Sequence, residues 1–245
     1  VNWLTPVTAP AVDPAPDRPA QNLLDARRHL RSYHVMRTAI GVIGLALPVV
    51  LLVGDALLLA GDALPRGSLS AYYHSGMRDV FVGALCATAI FLVTYKVAEV
   101  NLDNTLSTAA GVAVLGVAVF PTERPPLPDV ELTPLQVALG EGVVGTVHAV
   151  CAAVFILSLA VISYFFGERS SPPWRGVHRT AAVVIAVAVA AMLLSLGTGV
   201  LAAYSVLVGE TVVLLAFGGS WLARGLQWGR LTANEVRPDV TLPRA

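Results

Sequence analysis

The chain has 245 residues, 56% of them hydrophobic and only 13% charged, with a mean hydropathy of +0.71; ordinary soluble domains carry roughly 25% charged residues. Lys+Arg and Asp+Glu balance at 16 each, so no basic field exists to attract nucleic acid, and nucleic acid is excluded as an expected partner. Cys86 and Cys151 both fall in apolar runs, where a thiol acts as a small hydrophobe, so no disulfide framework is expected.

In chain order, residues 1–21 carry Pro6, Pro10, Pro14, Pro16 and Pro19 among Ala and Val, a composition expected to form a disordered tail. No cleaved leader is expected, because a polar and then Arg-rich stretch precedes the first long apolar run. Residues 22–37, "NLLDARRHLRSYHVMR", form a basic juxtamembrane segment, read first as a positive flank. The alternative is an interfacial helix with Leu23, Leu24 and Leu30 on lipid and Arg27, Arg28 and Arg31 on phosphate.

A spanning helix needs about 20 apolar residues. Six runs qualify as candidates: Thr38–Ala60, Val80–Val100, Leu106–Phe120, Val143–Phe166, Ala181–Gly199 and Leu201–Leu222. The third is short and reaches spanning length only with Asp103 and Asn104 in the interface or with local thinning of the bilayer. The last two are nearly fused, so "SLGTGVLAAYS" is expected to hold a tight turn. The expected fold is therefore an all-α integral membrane bundle of six spans over residues 38–224, with a tail at 225–245.

With six spans, one side holds 13 of the basic residues, among them Arg27, Arg28, Lys96, Arg169, Arg175, Arg179 and Arg224. The other holds Arg66, Arg78 and Arg124. That excess places both termini in the cytoplasm.

Ionisable residues at membrane depth are costly and mark candidate sites. Asp55, Ser70, His74, Arg78, Asp79, Glu141, His148 and Glu210 all fall toward the outer ends of their spans, whereas the inner half reads as almost purely apolar. A helix continuous from Ser70 into the second span would align Ser70, His74 and Arg78 on one stripe and Ser75 with Asp79 on another. Glu141 and His148 share a face of the fourth span, with Gly145 between them. These eight residues are the expected ligand-binding set, with Arg78 or His74 as partners for Asp55 and Glu210. Ser70 and Asp79 are the catalytic candidates. His74 and His148 are the candidate metal ligands, and zinc is the cofactor that such nitrogen and oxygen donors suit. For Arg78 and Asp79 the competing reading is an interfacial anchor with its counter-charge; Tyr72 and Tyr73 fit an aromatic belt.

The stretch "SLSAYYHSGMRDVFVGALCATAIFLVTYK", with Ala118–Thr122 and "VHAVCAAVFILSLAVISYFF", resembles an uncharacterised family of bacterial multi-pass membrane proteins, which implies location in the bacterial plasma membrane. Ser70-x-x-x-His74 is similar to an element of the alkaline ceramidase and adiponectin-receptor superfamily. That resemblance implies a zinc-dependent, amidase-like lipid hydrolase with seven spans and a late His-x-x-x-His pair, both lacking here. The expected function is an outward-facing polar pocket for a lipid headgroup or small polar ligand. The alternatives are the zinc hydrolase and a subunit of a transporter or larger assembly. Expected partners are membrane lipids and a second copy or a partner membrane subunit.

Overall fold

The computed structural model describes residues 18–58, 65–94, 102–125, 130–172 and 174–235, and the side chains of 35–58, 65–94, 104–125, 130–172 and 174–226. Two units divide at Tyr33–His34, and only the second, His34–Ala245, contains the packing described below. The expected tail at 1–21 lies almost wholly outside the described residues, as do residues 236–245 of the C-terminal tail. Backbone at 225–235 continues the last helix.

Every described element is helical. The α-helices are α1 (Arg18–Leu58), α2 (Arg78–Thr94), α3 (Leu102–Val119), α4 (Pro134–Leu139), α5 (Glu141–Glu168), α6 (Trp174–Thr198) and α7 (Ala202–Glu235), and a 3-10 turn covers Ser70–His74. Among the described residues, four stretches are long and apolar enough to cross a bilayer: Val35–Leu58, Glu141–Glu168, Trp174–Thr198 and Ala202–Leu226. α2 has 17 residues, and the apolar part of α3 is Asn104–Val119. The protein is a membrane protein that is all-helical among the described residues. Its outward faces carry apolar side chains that water would not tolerate in such density, including Val183, Leu194 and Leu201.

The helices neighbour one another in the order α2, α3, α5, α6, α7, with α5 also touching α7 and the short α4. α1 closes the ring. Its glycines Gly41 and Gly44 meet Leu222 and Gly218 of α7 backbone to backbone, while Gly54 lies under Met77 just before α2. Small residues permit this approach, and in lipid close packing itself is the attractive force. Pro48, inside α1, has no N–H to give the Gly44 carbonyl, so one rung of the helix is missing near that crossing. Inside the ring, Phe81, Leu85, Val117, Phe155, Leu159, Val213, Phe217 and Trp221 form a continuous apolar core.

The expected turn between the last two spans is present. Gly199 takes φ +74° and its N–H donates to the Ser195 carbonyl across 2.8 Å, a left-handed stop that suits glycine. Leu201, at φ +56°, follows before α7 begins.

The expected continuous helix from Ser70 through the second span is not formed. The 3-10 turn ends at His74, Ser75 is extended at φ −137° and ψ 176°, and α2 starts only at Arg78. The cause is local: Ser75 Oγ donates to the Tyr72 carbonyl and accepts from the Met77 N–H, offering the backbone an alternative to the helical ladder. The two proposed stripes therefore do not exist, and Ser70, His74 and Arg78 point to three different partners.

Candidate functional site

One end of the bundle gathers the end of α1, the starts of α2, α5 and α7, and the end of α3. Across it lies the segment 65–77, a strap that runs between α1 and α2. Its first anchor is an ion pair: Arg66 Nε lies 3.0 Å from Asp55 Oδ2, and Asp55 is 3% exposed. Arg66 also stands 5.7 Å from the Tyr72 ring centre, and burial pushes the Tyr72 phenol above its ordinary 10.0.

The second anchor is α7. The Leu207 N–H donates to the Gly67 carbonyl across 2.9 Å, so a loop oxygen is bound by an amide in the first turns of a helix. Three residues on, Glu210 accepts from the Leu69 N–H at 2.6 Å and from Ser70 Oγ at 3.3 Å. Positions 207 and 210 share a helical face, so consecutive strap residues read one side of α7.

The third anchor is the chain that follows α3. His74 Nε2 lies 2.8 Å from the Thr122 carbonyl, and His148 Nδ1 lies 2.7 Å from the Phe120 carbonyl. A carbonyl only accepts, so those two ring nitrogens carry the protons. Gln136, 1% exposed, donates from Nε2 to the same Thr122 oxygen at 3.2 Å. Gln136 is held by a capping box with Thr133 at the start of α4. Glu141, opening α5, accepts from the Arg124 N–H at 2.8 Å and pairs with its guanidinium. Glu123 rests on Gly145, where a β-carbon would leave it no room.

Beneath the strap is a cavity of about 50 Å³ inside the ring. Its wall is aliphatic apart from Ser70, Glu210 and the rings of Phe81 and Phe155. A cavity of that size admits a water-sized or slightly larger group.

Of the eight expected residues, four meet in two pairs and the other four do not join them. Ser70 and Glu210 meet at the cavity, and His74 and His148 converge on one short carbonyl run. Asp55 is matched by Arg66, not by Arg78 or His74, which were its expected partners, and Glu210 has neither of them. Arg78 is exposed and donates to the Tyr73 hydroxyl at 2.9 Å, with its guanidinium 4.6 Å from that ring. Asp79 is exposed in the first turn of α2, where a negative charge favours the helix N-terminus.

Among the described residues no three His, Cys, Asp or Glu side chains come together, so a set of three zinc ligands is not assembled there. The hydroxyl of Ser70 bonds the Glu210 carboxylate and, among the described residues, no imidazole. Cys86 and Cys151 are free thiols, and Cys151 packs against Gly116.

Sequence reasoning missed Arg66, Gln136 and the carbonyls of Phe120 and Thr122. Of these, only Gln136 left a signature, in Thr133-Pro134-x-Gln136. The opposite half of the bundle is also less apolar than expected. His178, 0% exposed, shares a 2.8 Å hydrogen bond with Ser220 Oγ, and its ring meets Phe166 edge-on. Arg224 Nη1 donates to Ser170 Oγ at 2.9 Å nearby.

Searches against protein-family models, characterised proteins and solved structures return no match.

Proposed function

We propose that the chain is a six-span protein of the bacterial plasma membrane with both termini cytoplasmic, and that it binds a small polar ligand in the cavity beneath the strap, on the outer side. The six-span count draws support from α2 and α3. At 1.5 Å per residue they are about 26 Å long, close to the hydrocarbon thickness of about 30 Å, and they sit in the same ring as the longer helices. Orientation rests on the excess of basic residues at the opposite end.

The observation that carries the binding assignment is Glu210. A carboxylate on an otherwise apolar cavity wall is expensive unless it serves a partner. The strap uses part of its acceptor capacity, through the Leu69 N–H and the amide and hydroxyl of Ser70, and an ionised carboxylate offers about four positions. The zinc-hydrolase alternative has no comparable support.

Two measurements test this reading. A membrane-impermeant thiol reagent applied to intact cells labels Gly76→Cys but reaches Gly176→Cys only after permeabilisation; the reverse pattern overturns the orientation. Hydrogen exchange of the full chain in lipid nanodiscs slows at residues 67–70 and 207–210 when the correct small polar solute is added. Unchanged exchange across a panel of cationic, neutral and anionic solutes overturns the pocket.

A further inference from the structure

The two carboxylates at membrane depth beside the strap are treated differently. Asp55 has a guanidinium at 3.0 Å. Glu210 receives backbone amides and a hydroxyl from the strap, and no cationic side chain among the described residues pairs with it. The wall of the cavity that Glu210 lines also includes Phe81 and Phe155, aromatic rings that carry a quadrupole. The wall of this small void thus carries one carboxylate, one hydroxyl and two aromatic rings among aliphatic side chains, and no positive group.

We propose that the ligand of this cavity is a small organic cation, an ammonium group with no more than a short alkyl substituent, held by Glu210 and Ser70 and flanked by Phe81 and Phe155. This rests on the reading of the cavity as a binding site and specifies its ligand class. The chemistry of each wall matches. An ammonium has N–H groups for the carboxylate and for the Ser70 oxygen, and its charge is attracted by the ring faces. An anion would meet Glu210 as a like charge in a poorly solvated space, and a neutral alcohol would leave the carboxylate without a counter-charge. The size of the void sets the upper limit: about 50 Å³ excludes a full phospholipid headgroup and admits an amine.

The test uses the full chain in lipid nanodiscs and three probes of nearly equal size: methylammonium, methanol and formate. Saturation-transfer NMR reads binding of each above the level of empty nanodiscs. So few heavy atoms support an affinity on the order of millimolar, within reach of this method. Methylammonium transfers, and methanol and formate remain at the empty-disc level. Glu210→Gln weakens methylammonium by about 30-fold or more, as loss of one member of a desolvated charge pair does. Phe155→Leu keeps the carboxylate and weakens it by about 3-fold to 30-fold.

Binding of methanol or formate in place of methylammonium overturns the cation assignment and leaves the cavity a binding site. Methylammonium binding that both variants leave unchanged overturns the assignment to these residues. Absence of transfer for all three probes overturns the binding reading itself, and the cation proposal with it.

Discussion

The Leu69 amide donates to the Glu210 carboxylate across 2.6 Å, joining two residues 141 positions apart in the chain. This bond closes the strap onto α7, and it makes Glu210 structural as well as available to a ligand. Glu210→Ala leaves the Leu69 N–H and the Ser70 hydroxyl without their acceptor, and it lowers unfolding free energy by about 1–3 kcal/mol. Glu210→Gln retains an acceptor oxygen and costs less. Denaturant unfolding in mild detergent, followed for both variants, checks the order.

Asp55 and Arg66 behave as a coupled pair. Asp55 is 3% exposed, so removing Arg66 alone leaves a buried charge and costs about 3–5 kcal/mol. The double variant Asp55→Asn with Arg66→Met recovers much of that loss, because no charge remains to be buried. A double-mutant cycle measures the coupling; additive single costs contradict a buried pair.

Gly218 and Gly219 are adjacent on α7 and respond oppositely to alanine. A β-carbon at Gly218 would lie 2.9 Å from the Leu45 nitrogen and 3.0 Å from the Gly41 oxygen, both backbone atoms that cannot turn aside. Gly218→Ala therefore forces α1 and α7 apart and costs about 1–3 kcal/mol. At Gly219 nothing lies within 4 Å, and alanine there is neutral or stabilising by up to about 1 kcal/mol through helix propensity. Thermal unfolding of the two variants side by side separates them.

Ser220→Ala removes the partner of His178 Nδ1. His178 Nε2 is already buried with no hydrogen-bond partner among the described residues, so the variant leaves the whole imidazole unsatisfied. A loss of about 1–3 kcal/mol follows, with no change at the strap. Ser220→Thr, which keeps the hydroxyl, loses less.

How much of this was legible in the sequence depends on the range of the cause. The long apolar stretches around Leu51, Phe155, Ile185 and Val213 mark helices because a bilayer allows few other solutions. The turn at Gly199 was legible because 43 nearly uncharged residues exceed one span. That Asp55, Ser70, His148 and Glu210 fall toward one end of the bundle was legible for the same reason, as ionisable groups in apolar spans are rare. Their pairings were not. Ser75 redirects the backbone through two short hydrogen bonds, and that breaks the stripe a regular helix would have made. Arg66 was counted as a loop charge, yet it folds back onto Asp55. Arg224 was counted only among the basic residues of one side, and the convergence of α5, α6 and α7 brings it near the buried His178–Ser220 pair.

The central claim is that Glu210 presents negative charge to a cavity that small solutes enter. In full-length protein with Cys86→Ala and Cys151→Ala, the thiol of Ser70→Cys lies on that cavity wall. Aminoethyl and sulfonatoethyl methanethiosulfonates, positive and negative, are reacted with it in lipid nanodiscs and their rates compared with those at exposed Gly76→Cys. The account predicts that the positive reagent is favoured at Ser70→Cys by about tenfold or more over its preference at Gly76→Cys, and that Glu210→Gln removes this excess. Equal preferences at the two sites, or an excess that persists in Glu210→Gln, would contradict it.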